Sequence, residues 1–250
     1  MGFILMYAFV ANVFSIEIIL IAAGVFLIEV FGGCYNDYHD YEEDLRNGRK
    51  EKWTVSGLMT RAQVKAFSFS VLALGLVFFF AAGFGIIGLY YGFVMWAYSH
   101  PKIHLKGHHI FGYAVLASSW LLMPLAMNIL FSIPLTTKFV ILTLFFYFQY
   151  LYLLSQKDST DLKDRTNLFI DYGWWKALGV CSIFAVLALT FLLGISLSSL
   201  ALMSIWAMNL TVKLYHGYAV SKHTITRNRR SKLVLLEFSI PYLYSIGGIW

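Results

Sequence analysis

The 250-residue chain is 59% hydrophobic, 18% aromatic and only 13% charged, with a formal net charge of +6. A soluble domain carries about 25% charged residues, so this composition excludes a water-soluble globular protein. The apolar stretches are continuous rather than alternating decamers, which excludes a membrane β-barrel. One all-α, polytopic transmembrane bundle over residues 1–250 is the expected fold.

A helix crossing about 30 Å of hydrocarbon needs about 20 residues. Residues 2–14 form an apolar piece too short to cross, read as a shortened first helix. The first charge is Glu17 and the first base is Arg46, so this end lacks the basic region of a cleaved signal. Full spans are expected near 16–36, 62–82, 84–99, 109–131, 136–156, 174–194, 197–219 and 232–250. Gly83, Gly85, Pro134, Gly194 and charged loops separate them. Cys34 and Cys181 stand alone in apolar segments, which argues against disulfides and thiolate metal sites.

The bases orient the bundle. Residues 37–65, 98–108, 157–176 and 213–232 fall on one side and hold 18 of the 19 Lys and Arg; Lys138 falls on the other. That side is expected to be cytoplasmic, and the net charge then needs no nucleic acid.

Two acidic clusters fall on this same side. The first is Asn36-Asp37-Tyr38-His39-Asp40-Tyr41-Glu42-Glu43-Asp44. At 100° per residue, Glu29, Gly33, Asn36, Asp40 and Asp44 share one helical stripe, with Asp37 at its edge. In the second, Asp158, Asp161 and Asp164 recur at i, i+3 and i+6. Acids this dense repel one another in a low dielectric. A divalent cation removes the repulsion, and Mg²⁺ completes its shell with phosphate and water. A solvated acidic loop is the plain alternative for either cluster taken singly.

Bases surround both clusters: Arg46, Arg49, Lys50 and Lys52 after the first, Lys163 and Arg165 within the second, Lys102 and Lys106 beside Tyr98. Metal-binding acids with spare cations suit a diphosphate leaving group, although positive-inside topology explains most of the bases. His104, His108 and His109 lack a further ligand at zinc spacing. Polar residues inside spans usually face a cavity or bond another helix. Gln149, Tyr152 and Gln156 form one such stripe, and Asn209, Lys213 and His216 another; Glu29, Asn128 and Glu237 stand apart. Together they suggest a polar funnel beneath the metal site. Some aromatic residues could shield a carbocation by cation–π contact.

On these residues the chain resembles the UbiA family of intramembrane prenyltransferases. The family's NDxxDxxxD motif is matched by Asn36, Asp37, Asp40 and Asp44. Tyr98-Ser-His-Pro-Lys102 is similar to its YxxxK element, with Lys106 as the lysine of a "YSxP…LK" variant, and the second cluster to its second Asp-rich motif. Three departures stand out. The second motif reads DxxD twice rather than DxxxD, with Asp161 and Asp164, followed by Arg165, the favoured pair. An RPxPSG-like stretch is replaced by Lys52-Trp53-Thr54-Val55-Ser56-Gly57, where Lys52 takes the Arg position. The first of nine helices is short.

The resemblance implies Mg²⁺-dependent transfer of a prenyl group from a prenyl diphosphate to a lipophilic acceptor, such as a quinone precursor or a glycerophospholipid-type molecule. Asp37, Asp40, Asp44, Asp158, Asp161 and Asp164 would bind metal. Arg49, Lys52, Lys163 and Arg165 would bind diphosphate. Asn36, Tyr98, Lys102 and Lys106 would act at the reacting end. Two rivals remain: a catalytically degenerate member that binds lipid or a partner, motivated by the short helix and the irregular motif, and a transporter. Carriers concentrate carboxylates near midplane, whereas these acids lie at helix ends.

Overall fold

The computed structural model describes residues 15–132, 136–157, 168–196 and 200–222. The regular structure among these residues is all helical, with no strand. By contact density the chain divides into two compact units, Met1–Leu116 and Ala117–Trp250.

Three long helices build the first unit: α1 (Ile16–His39), α3 (Arg61–Ala81) and α4 (Gly85–Ser99), with a short α2 (Tyr41–Arg46) after α1. Their near-continuous apolar sequence suits burial on several faces, and α1 packs on both α3 and α4. Small residues set how closely they approach. A Cβ on Gly24 would lie 2.8 Å from the Phe79 ring and 3.1 Å from the Gly75 carbonyl oxygen. One on Gly88 would lie 2.6 Å from Phe79. The fully buried Phe79 therefore fills glycine notches on both α1 and α4. Where lipid gives helices no hydrophobic drive to associate, such close backbone packing supplies it. Phe31, Tyr35 and Val71 form the core nearer the charged end, flanked by Met95 and Trp96.

A capping box starts α3. The Gln63 backbone N–H donates to Thr60 Oγ1 at 3.2 Å, and the Thr60 N–H donates to Gln63 Oε1 at 2.8 Å. At the far end of α4, His100 turns extended ahead of Pro101, which disfavours helical backbone in the residue before it. The 15 residues of α4 span about 22 Å, less than a full hydrocarbon core. Because α1 and α4 run in the same sense, the acidic motif and the Tyr98–Lys102 segment reach the same end of this unit.

A 3-10 turn (Leu105–His108) leads into α5 (His109–Leu130), which runs on into the second unit. There follow α6 (Thr137–Lys157), α7 (Leu168–Asp171), α8 (Trp174–Ser196) and α9 (Leu200–Ser221). α8 packs against α6, α7 and α9. Phe148 of α6 stacks on Phe191 of α8 at 5.5 Å, and Trp206 Nε1 of α9 donates to the Leu189 carbonyl at 3.1 Å.

Four segments among the described residues are long and apolar enough to cross a membrane: Ile16–His39, Arg61–Ala81, Leu105–Ala126 and Trp174–Phe191. Phe139–Ser155 is apolar but shorter. The piece at 2–14 and the span expected at 232–250 lie outside the described residues.

Candidate active site

The acidic end of α1 carries the site. The expected helical stripe persists with a bend at Asp40, where α1 gives way to α2. The Asp40 N–H still donates to the Asn36 carbonyl, and the Asp44 N–H to that of Asp40, both at 2.8 Å. Asn36, Asp40 and Asp44 thus follow one another along successive turns.

Each aspartate of the first motif pairs with its own base, two from the loop between α2 and α3 and one from the 3-10 turn. Lys106, from the 3-10 turn, pairs with Asp40 Oδ1. Lys52, from the loop between α2 and α3, pairs with Asp37 Oδ1. Arg49 Nη1 donates to Asp44 Oδ1 at 2.9 Å. The last pair depends on a chain reversal: Gly48, at φ +64°, takes the left-handed conformation that ends many helices. The Arg49 N–H then returns to the Asp44 carbonyl at 3.0 Å.

Asp44 is the most enclosed of the three, at 1% exposure. Its Oδ2 is buried and accepts no hydrogen bond among the described residues. Burial raises its pKa, against the opposing pull of Lys52 and Arg49; Asp40 and Asp37 push it further up. Nearby, burial and then Lys106 push the His104 imidazole below its ordinary value, which favours the neutral ring at neutral pH.

The Ser99 hydroxyl at the end of α4 donates to Asn36 Oδ1 at 2.9 Å and fixes that amide across the helix pair. Tyr98 is half-buried beside it. Lys102 is exposed, and its backbone N–H donates to His100 Nδ1 at 3.3 Å; among the described residues its side chain forms no ion pair with Asp37, Asp40 or Asp44. Of the two loop lysines, Lys106 is the one that the structure brings to the acids. Asp158, Asp161, Asp164, Lys163 and Arg165 lie outside the described residues.

The structure adds contacts around the motif that sequence spacing did not give. Ser99 lay within the quoted Tyr-Ser-His-Pro segment, so its signal was present. His39 packs edge-on against Tyr35 and Tyr38, with ring centroids 4.5 and 4.8 Å away. Arg61 lies over Tyr38 and Tyr41 at 5.3 and 5.1 Å. Glu29, isolated in sequence, accepts from Tyr91 Oη at 3.2 Å.

Among the described residues no three His, Cys, Asp or Glu side chains gather as a complete metal cage. Mg²⁺ does not need one, because it takes one or two carboxylates and fills its shell with phosphate and water. Successive acids with a buried, unpartnered Asp44 Oδ2 fit that requirement.

Comparison with known proteins agrees with this architecture. The model of the UbiA prenyltransferase family matches residues 1–239. A solved structure of digeranylgeranylglyceryl phosphate synthase, a biosynthetic enzyme in membranes, superposes with a TM-score of 0.65 at 22% identity. The match covers 99% of this chain and 91% of that one. At that identity the likeness speaks for the fold alone. No curated protein matched. The family match covers nearly the whole chain, and together with the apolar helices it shows that this integral membrane protein belongs to the UbiA prenyltransferase family and is a prenyltransferase.

Proposed function

We propose that the protein transfers a prenyl group from a prenyl diphosphate to a lipophilic acceptor, of quinone-precursor or glycerophospholipid type, in a Mg²⁺-dependent reaction at the cytoplasmic membrane. The observation that carries this reading is the trio of pairs Asp37–Lys52, Asp40–Lys106 and Asp44–Arg49 at one helix end. Acids and bases alternate there over a few turns, which suits a ligand made of metal ions and phosphates.

Asp37, Asp40 and Asp44 would hold Mg²⁺, together with Asp158, Asp161 and Asp164. Bound there, Mg²⁺ supplies Lewis-acid neutralisation of the diphosphate. Lys52, Lys106 and Arg49 are poised to exchange a carboxylate for a phosphate oxygen, with Lys163 and Arg165 in the same role. Their charge helps most as the C–O bond breaks and negative charge grows on the leaving diphosphate, so it lowers the barrier rather than only tightening binding. Ser99 holds Asn36 in place to orient the diphosphate or the acceptor, with Tyr98 and Lys102 alongside. The apolar helices hold the isoprenoid chain, each buried CH₂ contributing about 0.8 kcal/mol, and keep water from the allylic cation.

The test is turnover. Purified protein in nanodiscs is given labelled geranylgeranyl diphosphate, Mg²⁺ and a panel of aromatic and glycerol-based acceptors. The reading predicts a labelled lipophilic product together with released diphosphate, both lost with EDTA. Product formation that ignores EDTA would remove the metal from the mechanism.

A further inference from the structure

The loop between α2 and α3, residues 47–60, is long for a connection without regular structure, and such loops are usually held by their own packing or put to use. This one is closed by its own hydrogen bonds. The Lys52 N–H donates to the Arg49 carbonyl at 3.0 Å, and the Lys52 carbonyl accepts from the Ser56 N–H at 2.9 Å. The next carbonyl, that of Trp53, accepts from the Met59 N–H and from the Ser56 hydroxyl, each at 3.2 Å. The backbone at Lys52 and Trp53 is therefore fixed within the loop.

These two consecutive side chains attach the loop to two different helices. Lys52 pairs with Asp37 Oδ1 of α1. The Trp53 indole lies against Phe67 of α3, with ring centroids 5.8 Å apart and planes tilted by 57°, a separation at which aromatic pairs attract. From Arg61 to Phe67 α3 rises about 9 Å, so the contact sits on the flank of the span rather than at its tip. Trp is favoured at a membrane boundary, where its ring is apolar and its N–H stays in reach of polar partners. Thr54, the next residue, is buried, so the chain is pressed onto the unit here. At 41% exposure the indole itself fills no core. Removing it leaves the helices packed and takes away the loop's attachment to α3.

We infer that Trp53 is a positioning residue: docked on Phe67, it holds Lys52 where the ammonium can pass from Asp37 to the leaving diphosphate. The role of Lys52 rests on the prenyl-transfer reading; the docking of the loop on α3 does not. The Lys52–Asp37 pair opens when a phosphate oxygen takes the ammonium, and the Trp53 contact then keeps the loop in place. A misplaced charge costs most where negative charge is growing, so the effect of Trp53 falls on kcat rather than on KM.

The full chain in nanodiscs is assayed for turnover of labelled geranylgeranyl diphosphate with Mg²⁺, and for hydrogen exchange of the loop, in parallel. Trp53→Ala should lower kcat by about threefold to tenfold, the range one aromatic pair supplies, and should speed exchange across residues 50–59. Trp53→Phe should recover most of both. Phe67→Leu, which keeps α3 apolar, should reproduce the Trp53→Ala loss and carries the same test if that variant does not fold. In a Lys52→Gln background Trp53→Ala should change kcat by less than about twofold, because the group it positions is gone. A full, additive loss in that background overturns the positioning role, as does a change confined to KM. Unchanged loop exchange in Trp53→Ala overturns the docking itself. Wild-type protein that turns over no prenyl diphosphate with any acceptor would sink the transfer reading and the role of Lys52 with it, while loop exchange still decides the docking.

Discussion

Lys106 and Asp40, 66 positions apart in sequence, form an ion pair that ties the turn after α4 to the end of α1. The same carboxylate is a proposed metal ligand and the same ammonium a proposed diphosphate ligand. Each therefore gives up the other when substrate and metal bind. Lys106→Gln should accordingly have opposite effects on two quantities. Asp40 loses a competing cation, so the apparent Mg²⁺ affinity should rise by up to about tenfold. The leaving group loses a stabilising charge, so kcat should fall by about a hundredfold or more. Mg²⁺ titration of binding and of turnover separates the two; a parallel loss of both would make Lys106 merely structural.

Asp44 gives the acidic motif a pH signature. Burial raises its pKa above the ordinary value of 3.8, so the folded state holds its proton more firmly than the unfolded chain does. Its contribution to stability is then complete below that ordinary value and is lost as pH rises through the higher folded one. Thermal unfolding between pH 3 and 7 should show the wild type losing stability across this window relative to Asp44→Asn. Two parallel curves would contradict this placement of Asp44.

The Ser99–Asn36 hydrogen bond predicts a positioning effect. Ser99→Ala should lower kcat by a few-fold while leaving KM for the prenyl diphosphate nearly unchanged, because Asn36 stays present but swings more freely. Ser99→Thr, which keeps the hydroxyl, should recover part of the loss. A change confined to KM would assign Ser99 to substrate binding instead.

Packing in the first unit turns on small residues. A Cβ on Gly75 would meet Ile28 at 3.1 Å and the Gly24 carbonyl oxygen at 3.2 Å. Gly75→Leu should force α1 and α3 apart at a cost of about 1–3 kcal/mol. By contrast, Gly33 has open space around a built Cβ, and Gly33→Ala should be nearly neutral. Thermal melts of both variants in detergent check the contrast.

The sequence made the helices legible because apolar length alone marks a span. Helical phase also carried Asn36, Asp40 and Asp44 correctly through the bend, since the i to i−4 bonds continue there. The pairing of acids with bases was not legible. Lys106 meets Asp40 only because α4 runs parallel to α1, and Arg49 meets Asp44 only because Gly48 reverses the chain. The polar stripes on α6 and α9 could be read singly from spacing. Their meeting at Lys213 and Gln149 depends on helix rotation, to which an almost uniformly apolar sequence gives little clue. The same uniformity hid the role of Phe79, one of 22 phenylalanines until the glycines around it are seen.

The most direct test of the central claim is binding of a non-hydrolysable geranylgeranyl diphosphate analogue to the purified chain, with and without Mg²⁺. An Asp37→Ala/Asp161→Ala double variant is measured alongside. The account predicts tight binding that requires Mg²⁺ and disappears in the double variant. Binding that is equal without Mg²⁺, or that persists without the two acids, would contradict it.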